Sequence, residues 1–359
     1  MKALFRILIV ATLLGMIYYY SFIEQPEHEP LEGPNTVQQA IPSEHYENDF
    51  NETLSRPTEG VSVFIGKSSE LLIKNYGEPL RIDQSGYGYN WWVYNEGTFM
   101  MFGVEDDIVT QVYTNDRLVE VSPYEIGQKA EDVYRMTILE GEVTVEMDDN
   151  LYMFTMNQED TKTRLLAKFD GLYAQLYIDS ELGKLVGVRY MDGKTLVMQQ
   201  PYEMQYVGEL IEQPVLSSYS QLALHEATAQ QLFDLANRFR QQHSLKPLLR
   251  LQSLDEAAMA HSEDMFLQNY VSHESPTLGT LTDRLNEKEI TYEESGENIA
   301  TSYYDAIEAV HGWINSSDHR TVLLDEKFTS VGSGVYYDYY TQIFIKQEQI
   351  DPFEDSSLQ

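Results

Sequence analysis

The hydrophobic pattern of this chain changes period near residue 220, and that change constrains the fold more than any other feature. Up to about Val207 the apolar residues fall in short strand-like runs: Trp91-Trp92-Val93-Tyr94, Phe99 to Phe102, Ile108 to Tyr113, Val143 to Met147, Leu151 to Met156 and Leu172 to Ile178. Beyond Leu222 they recur at helical spacing, as in Leu232, Leu235, Ala236 and Phe239. Strand and helix patterns of this length cannot belong to one continuous element, so the chain divides into a β-rich unit and a helix-led unit. With 359 residues, 42% of them hydrophobic, there is enough apolar material for two cores.

The β-rich unit carries an internal echo. Val63-Phe64-Ile65-Gly66, a polar helical stretch and Ile108 to Tyr113 are followed by Tyr124-Glu125-Ile126-Gly127, another helical stretch and Leu185 to Tyr190. A helix leading into an antiparallel meander, used twice, accounts for this order. No convergent set of His, Asp, Glu or Ser rises above surface charge here, so a binding or spacing role is expected for this half.

At the N-terminus Lys2 and Arg6 precede an uncharged apolar stretch from Ile7 to Ile23, and no Lys or Arg follows until Arg56. The asymmetry predicts a cytoplasmic N-terminus with the rest outside. The stretch is near the lower limit of a membrane span, roughly 17 residues. No small-x-small cleavage site follows it, so an uncleaved signal anchor is expected, with a cleaved, secreted form as the alternative. Residues 24–58, rich in Glu, Pro, Asn and Gln, read as a disordered acidic linker. The full partition is anchor 1–23, linker 24–58, N-terminal domain 59–207, linker 208–224, C-terminal domain 225–350 and tail 351–359.

Charge and cysteine content exclude several classes of function. A formal net charge of -34 repels phosphate backbones and argues against a nucleic-acid partner. Without cysteine there is no disulfide, thiolate ligand or thiol nucleophile. Twenty-six tyrosines suit half-buried strand positions, where the ring packs and the hydroxyl stays wet.

In the C-terminal unit, Leu224 to Gln242 reads as a helix. Ser253-Leu254-Asp255-Glu256 carries a capping-box signature for a second helix running to about Tyr270. Further helices are expected around Leu281 to Lys288 and Asp305 to Ile314, then two strands, Val331 to Tyr337 and Tyr340 to Ile345. Helices followed by a hairpin imply an α+β domain. His273, Glu297 and His319 stand out, because imidazole and carboxylate bind divalent metals and move protons near neutral pH. Each also has a structural reading. His273 suits the end of the preceding helix, Glu297 and Asn298 suit a loop, and His319 beside Arg320 suits ordering of the loop after Trp313.

The order of motifs resembles the CAP superfamily, also called SCP-like, which covers cysteine-rich secretory proteins, antigen 5 and pathogenesis-related 1 proteins. The resemblance rests on Asn237-x-x-Arg240, Leu248, Leu254-x-x-Ala257, Met265, His273 and Arg284-Leu285. It continues through Gly296-Glu297-Asn298-Ile299-Ala300, Trp313 to Arg320, Gly332-x-Gly334-Val335 and Tyr340-Thr341-Gln342-Ile343-Phe344. The preceding region is similar to the CAP-associated N-terminal domain of membrane-anchored proteins from Gram-positive spore formers. The resemblance implies an α-β-α sandwich (the CAP fold) after a duplicated β-rich α+β domain and a membrane anchor. It also implies a cleft in which some relatives hold a divalent metal on two histidines and two glutamates. By motif, His273 matches the first histidine and Glu297 the first glutamate. Ser316 and Tyr339 stand where the second pair would be, and His319 is the candidate replacement, giving His273, Glu297 and His319 as a set for a metal such as zinc. Asn298, Trp313 and Arg320 are the structural motif residues.

The function expected is that of a non-enzymatic binding or regulatory module at the cell envelope, anchored in the membrane and binding a peptide, lipid or envelope protein. The alternative is a metal-dependent hydrolase or protease using the same cleft.

Overall fold

The computed structural model describes residues 29–34, 36–42, 53–137 and 141–347. The expected anchor lies outside the described residues, among which no helix is long and apolar enough to cross a membrane. The strands of the first half are β1 (Leu31–Glu32), β2 (Gln38–Ala40), β3 (Arg81–Gln84), β4 (Asn90–Tyr94), β5 (Met100–Glu105), β6 (Ile108–Thr114), β7 (Glu142–Met147), β8 (Asn150–Thr155), β9 (Arg164–Phe169), β10 (Leu172–Asp179), β11 (Lys184–Met191) and β12 (Glu203–Val207). Those of the second half are β13 (Leu249–Arg250), β14 (Glu294–Thr301), β15 (Ser330–Tyr336) and β16 (Tyr339–Lys346).

The repeat is present as a matched pair of backbone contacts. Gly66 N–H donates to Val109 O and Val109 N–H to Lys67 O, while Gly127 N–H donates to Leu185 O and Leu185 N–H to Gln128 O. Each copy turns through a glycine at positive φ, 82° and 96°, and enters a short helix, Glu70–Tyr76 or Ala130–Met136. The copies meet where β6 pairs with β11, giving one antiparallel sheet in the order β3-β4-β5-β6-β11-β10-β9.

Both faces of this sheet are buried, which explains the unbroken apolar run at Trp91 to Tyr94. Met100, Phe102 and Val112 face a core shared with the small sheet β2-β12-β8-β7. Trp91, Val93, Met101 and Tyr113 face the other way, against Leu232, Leu235 and Phe239 of the Ser218–Gln242 helix and Ile307 and Val310 of the Ala306–Asn315 helix. The two halves therefore share a continuous apolar core. Ion pairs cross it as well: Arg189 to Asp305 (2.6 Å), Arg164 to Glu308 (3.0 Å) and Arg320 to Asp179 (2.8 Å).

The C-terminal half is the α-β-α sandwich. Its sheet runs β1-β14-β16-β15-β13. Along β16, Ile343 and Ile345 pack with Leu254 and Ala258 of the Gln252–Gln268 helix, whereas Phe344 faces the core shared with the first half. That helix lies so close to β15 that a Cβ at Gly332 or Gly334 would strike its backbone.

Four expectations are corrected. The acidic linker includes β1, parallel to β14, and β2, parallel to β12, so part of it is strapped across both halves. These strands cover edges that would otherwise expose unpaired backbone groups. The linker at 208–224 gives way to helix at Ser218, capped by the Ser217 side chain. The helix at Gln252 begins without a side-chain cap. Ser253 lies within it, and the capping box forms instead at Thr280 and Asp283. Glu297 and Asn298 lie inside β14 and not in a loop, because their strand is paired along its length with β16.

Candidate functional site

Adjacent residues on a strand point to opposite faces, and β14 uses this to separate two sets of side chains. On one face Glu297, 5% exposed, meets three residues from different segments. Oε1 accepts from His273 Nδ1 (2.7 Å) and Arg284 Nη2 (3.0 Å), and Oε2 accepts from Arg284 Nη1 (2.6 Å). Arg284 Nη2 also donates to the His273 carbonyl at 2.8 Å, so one guanidinium holds both the carboxylate and the backbone of its imidazole partner. His261, fully buried, stands with Nε2 3.9 Å from Oε1.

The loop carrying His273 is itself tied down. Asp264, on the Gln252–Gln268 helix, accepts from Tyr270 Oη (2.5 Å) and Ser275 Oγ (2.6 Å). That helix ends at Gln268, and His273 hydrogen-bonds Glu297, so its ring serves the strand and not the helix end.

Burial alone would raise the pKa of Glu297. The Arg284 charge, the proximity of His261 and the hydrogen bonds of His273 and Arg284 outweigh it and hold the carboxyl well below the usual carboxylate range. His261 moves down to about 4 through burial, against the opposing pull of Glu297, so it is neutral at pH 7. The contact to Glu297 places a proton on His273 Nδ1, while Nε2 is buried without a hydrogen-bond partner among the described residues. The arrangement fixes one imidazole, with a buried nitrogen that has no partner among the described residues, beside a carboxylate whose charge Arg284 balances.

On the other face Asn298, fully buried, donates from Nδ2 to the His319 carbonyl at 2.9 Å. The His319 ring shares a hydrogen bond with Ser316 Oγ (2.8 Å). Residues 317–323 form a helix where a loop was expected. His319 is thus docked by its backbone on the side of β14 opposite the Glu297 carboxylate. Tyr339 pairs with Thr301 while Glu297 pairs with Ile343, which separates them by about 13 Å along the strands. Trp313 is buried with Nε1 donating to Ile299 O at 3.3 Å, and Arg320 ties the domain to Asp179.

His273 and Glu297 come together directly. Arg284 and His261 join them without having been assigned a role from the sequence. Arg284 stands in a helix thirteen residues before Glu297, a spacing that carries no local signal. Among the described residues no group of three or more His, Cys, Asp or Glu side chains is arranged to hold a metal ion. The donor set explains why the implied metal does not fit at Glu297: Arg284 already satisfies both oxygens and puts a positive charge where the ion would stand.

The fold and this site define a CAP protein, and the comparisons agree. Residues 233–346 match the cysteine-rich secretory protein family, and residues 65–202 match the CAP-associated N-terminal family. The chain is 40% identical over 293 residues to a Bacillus subtilis (strain 168) protein named as the uncharacterized membrane protein YlbC, covering 81% of this chain and 85% of that one. It is similar to an extracellular protein containing an SCP domain from Bacillus anthracis str. Ames, whose crystal structure superposes with a TM-score of 0.77 at 39% identity, over 84% of this chain and all of that one. A cysteine-rich secretory protein from Staphylococcus aureus subsp. aureus Mu50 shares the fold, with a TM-score of 0.74 at 24% identity over 89% of this chain and all of that one. The chain belongs to the CAP family, with the CAP-associated N-terminal domain preceding its CAP domain.

Proposed function

We propose that this protein is a non-enzymatic binding or regulatory module of the cell envelope. A single N-terminal span anchors it and both folded halves face outward. The relative named as a membrane protein and the one named as extracellular support this placement, as does the charge asymmetry around residues 2–23. The ligand is a peptide segment or lipid headgroup bound beside the loop that carries His273.

The observation that carries the reading is the full engagement of Glu297. A carboxylate held by Arg284 and His273, with its pKa driven down, is a poor general base and a poor metal ligand. What it does well is fix the ring of His273.

The test is zinc calorimetry on the full chain, together with hydrolysis of peptide and ester libraries, comparing wild type with His273→Ala, His319→Ala and Glu297→Gln. The binding reading predicts no stoichiometric zinc and no turnover, with a photo-reactive residue at Glu274 capturing a discrete species that His273→Ala abolishes. Stoichiometric zinc lost in either histidine variant, or turnover lost in Glu297→Gln, overturns it in favour of a metal-dependent hydrolase.

A further inference from the structure

A cavity of about 670 Å³ opens where several segments meet: the strap at Glu32–Pro34 and Thr36, the hairpin Gln84 to Trp91, the segment around Pro214, the Ser218–Gln242 helix, and the CAP residues Ser302 to Asp305 with the Tyr337–Asp338 turn. It is remote in the fold from His273 and Glu297, and its lining includes none of the residues of that site. The size falls within the range of small-molecule sites, about 300–1,000 Å³.

Its chemistry is selective. Among the described residues its lining contains no Lys, Arg or His; it includes three carboxylates (Glu32, Asp305 and Asp338), Trp91 and several tyrosines, glutamine amides such as Gln84 and Gln231, and hydroxyls such as Ser85 and Thr228. Without a cation in the lining, a phosphate or carboxylate ligand has no counter-charge, and the net charge of -34 repels it further. The aromatic wall is held in place from behind. Tyr87 Oη donates to Tyr304 O (3.2 Å), Tyr340 Oη to Tyr303 O (2.7 Å), and Gln199 Nε2 donates to Tyr89 Oη (2.9 Å). The buried Arg189 guanidinium lies over the Tyr304 and Trp91 rings at 5.2 and 5.8 Å. Asp305, the deepest carboxylate, is spent on Arg189 and on the N–H of Glu308. At the mouth Tyr337, 49% exposed as a residue, is held at a φ of 53° with its ring stacked on Phe266, a left-handed conformation that a bulky residue rarely adopts.

We propose that this interdomain cavity binds a neutral oligosaccharide. Sugar rings present apolar C–H faces to aromatic rings and hydroxyls to amides and carboxylates, which matches this inventory. A wall already fixed by its own hydrogen bonds loses little entropy when it is occupied. The two halves are then fused because each supplies part of one site, and the proposal stands apart from the role given to His273.

The test uses the full chain in a detergent without a sugar headgroup, titrated with chitotetraose, maltotetraose and spermidine. Calorimetry reports binding, with intrinsic tryptophan fluorescence as a second readout. The expected result is saturable binding of a neutral tetrasaccharide, weakened tenfold or more by Tyr87→Ala and by Leu224→Trp, which fills the cavity from its wall, and unchanged by His273→Ala. Thermal melting confirms that the variants are folded. Failure of both tetrasaccharides to bind, binding unaffected in a folded Leu224→Trp protein, or binding of spermidine alone would overturn the proposal.

Discussion

Two buried glutamates eleven residues apart do opposite work. Glu308 accepts from Tyr177 Oη (2.5 Å), Tyr304 Oη (3.0 Å) and Arg164 Nη1 (3.0 Å), so its partners come from both halves of the molecule and close around it. Glu297 accepts only from residues of the CAP half, His273 and Arg284. The histidine nearest Glu308 is likewise held by residues of the N-terminal half. His311 is 4% exposed, stacked on Tyr177 at 4.0 Å and bonded to Tyr113 Oη at 2.9 Å. The first network spans both halves and ties them together, whereas the second lies within the CAP half alone, between a strand, a helix and the loop that carries His273.

The comparison can be broken experimentally, and the largest effect is expected at the closed network. Glu308→Ala leaves Arg164 without its interdomain partner and should cost about 3–5 kcal/mol. Urea unfolding of the wild type should show one transition for both halves, and the variant should separate them. A pH series should cost somewhat less. His261 takes up its proton near pH 6.5 when unfolded but only near 4 when folded. The unfolded state therefore binds more protons in that window, and stability falls as the pH drops from 6.5 to 4, by about 3 kcal/mol from this residue. His311, pushed well below its ordinary value by burial and the Arg189 charge, adds to the loss. Glu297 stays ionised throughout, so His261→Asn should flatten the curve and Glu297→Gln should not.

Two further effects sharpen the contrast. Glu297→Gln keeps the shape but leaves the buried Arg284 guanidinium without a carboxylate, and should cost about 3 kcal/mol in chemical denaturation. His273→Ala leaves both Arg284 contacts to Glu297 intact and should cost about 1 kcal/mol. A loss as large as that of Glu308→Ala would make His273 a structural residue and remove the distinction drawn here.

Legibility from sequence followed the range of the interactions. The repeat could be read because Gly66 and Gly127 sit in similar local sequences and make the same turn. Most strands and helices could be read from their periodicity. The Glu297 segment was misread as a loop because polar residues dominate it, and its burial comes from β16 and from the packing of other segments on its two faces. The strap was misread as a free tether because its acidic composition says nothing about the edge strands it covers.

By itself the sequence determined the two-part organisation, the repeat and the order of CAP motifs, and it singled out His273, Glu297 and His319 as the residues to watch. These depend on local pattern or on a recognisable succession of motifs. The tertiary structure alone decided that Arg284 neutralises Glu297, that His319 is docked on the opposite face of β14, and that both halves share one core around Arg189 and Glu308. Each of those outcomes rests on residues far apart in the chain, where burial and geometry, and not neighbouring sequence, choose the partner.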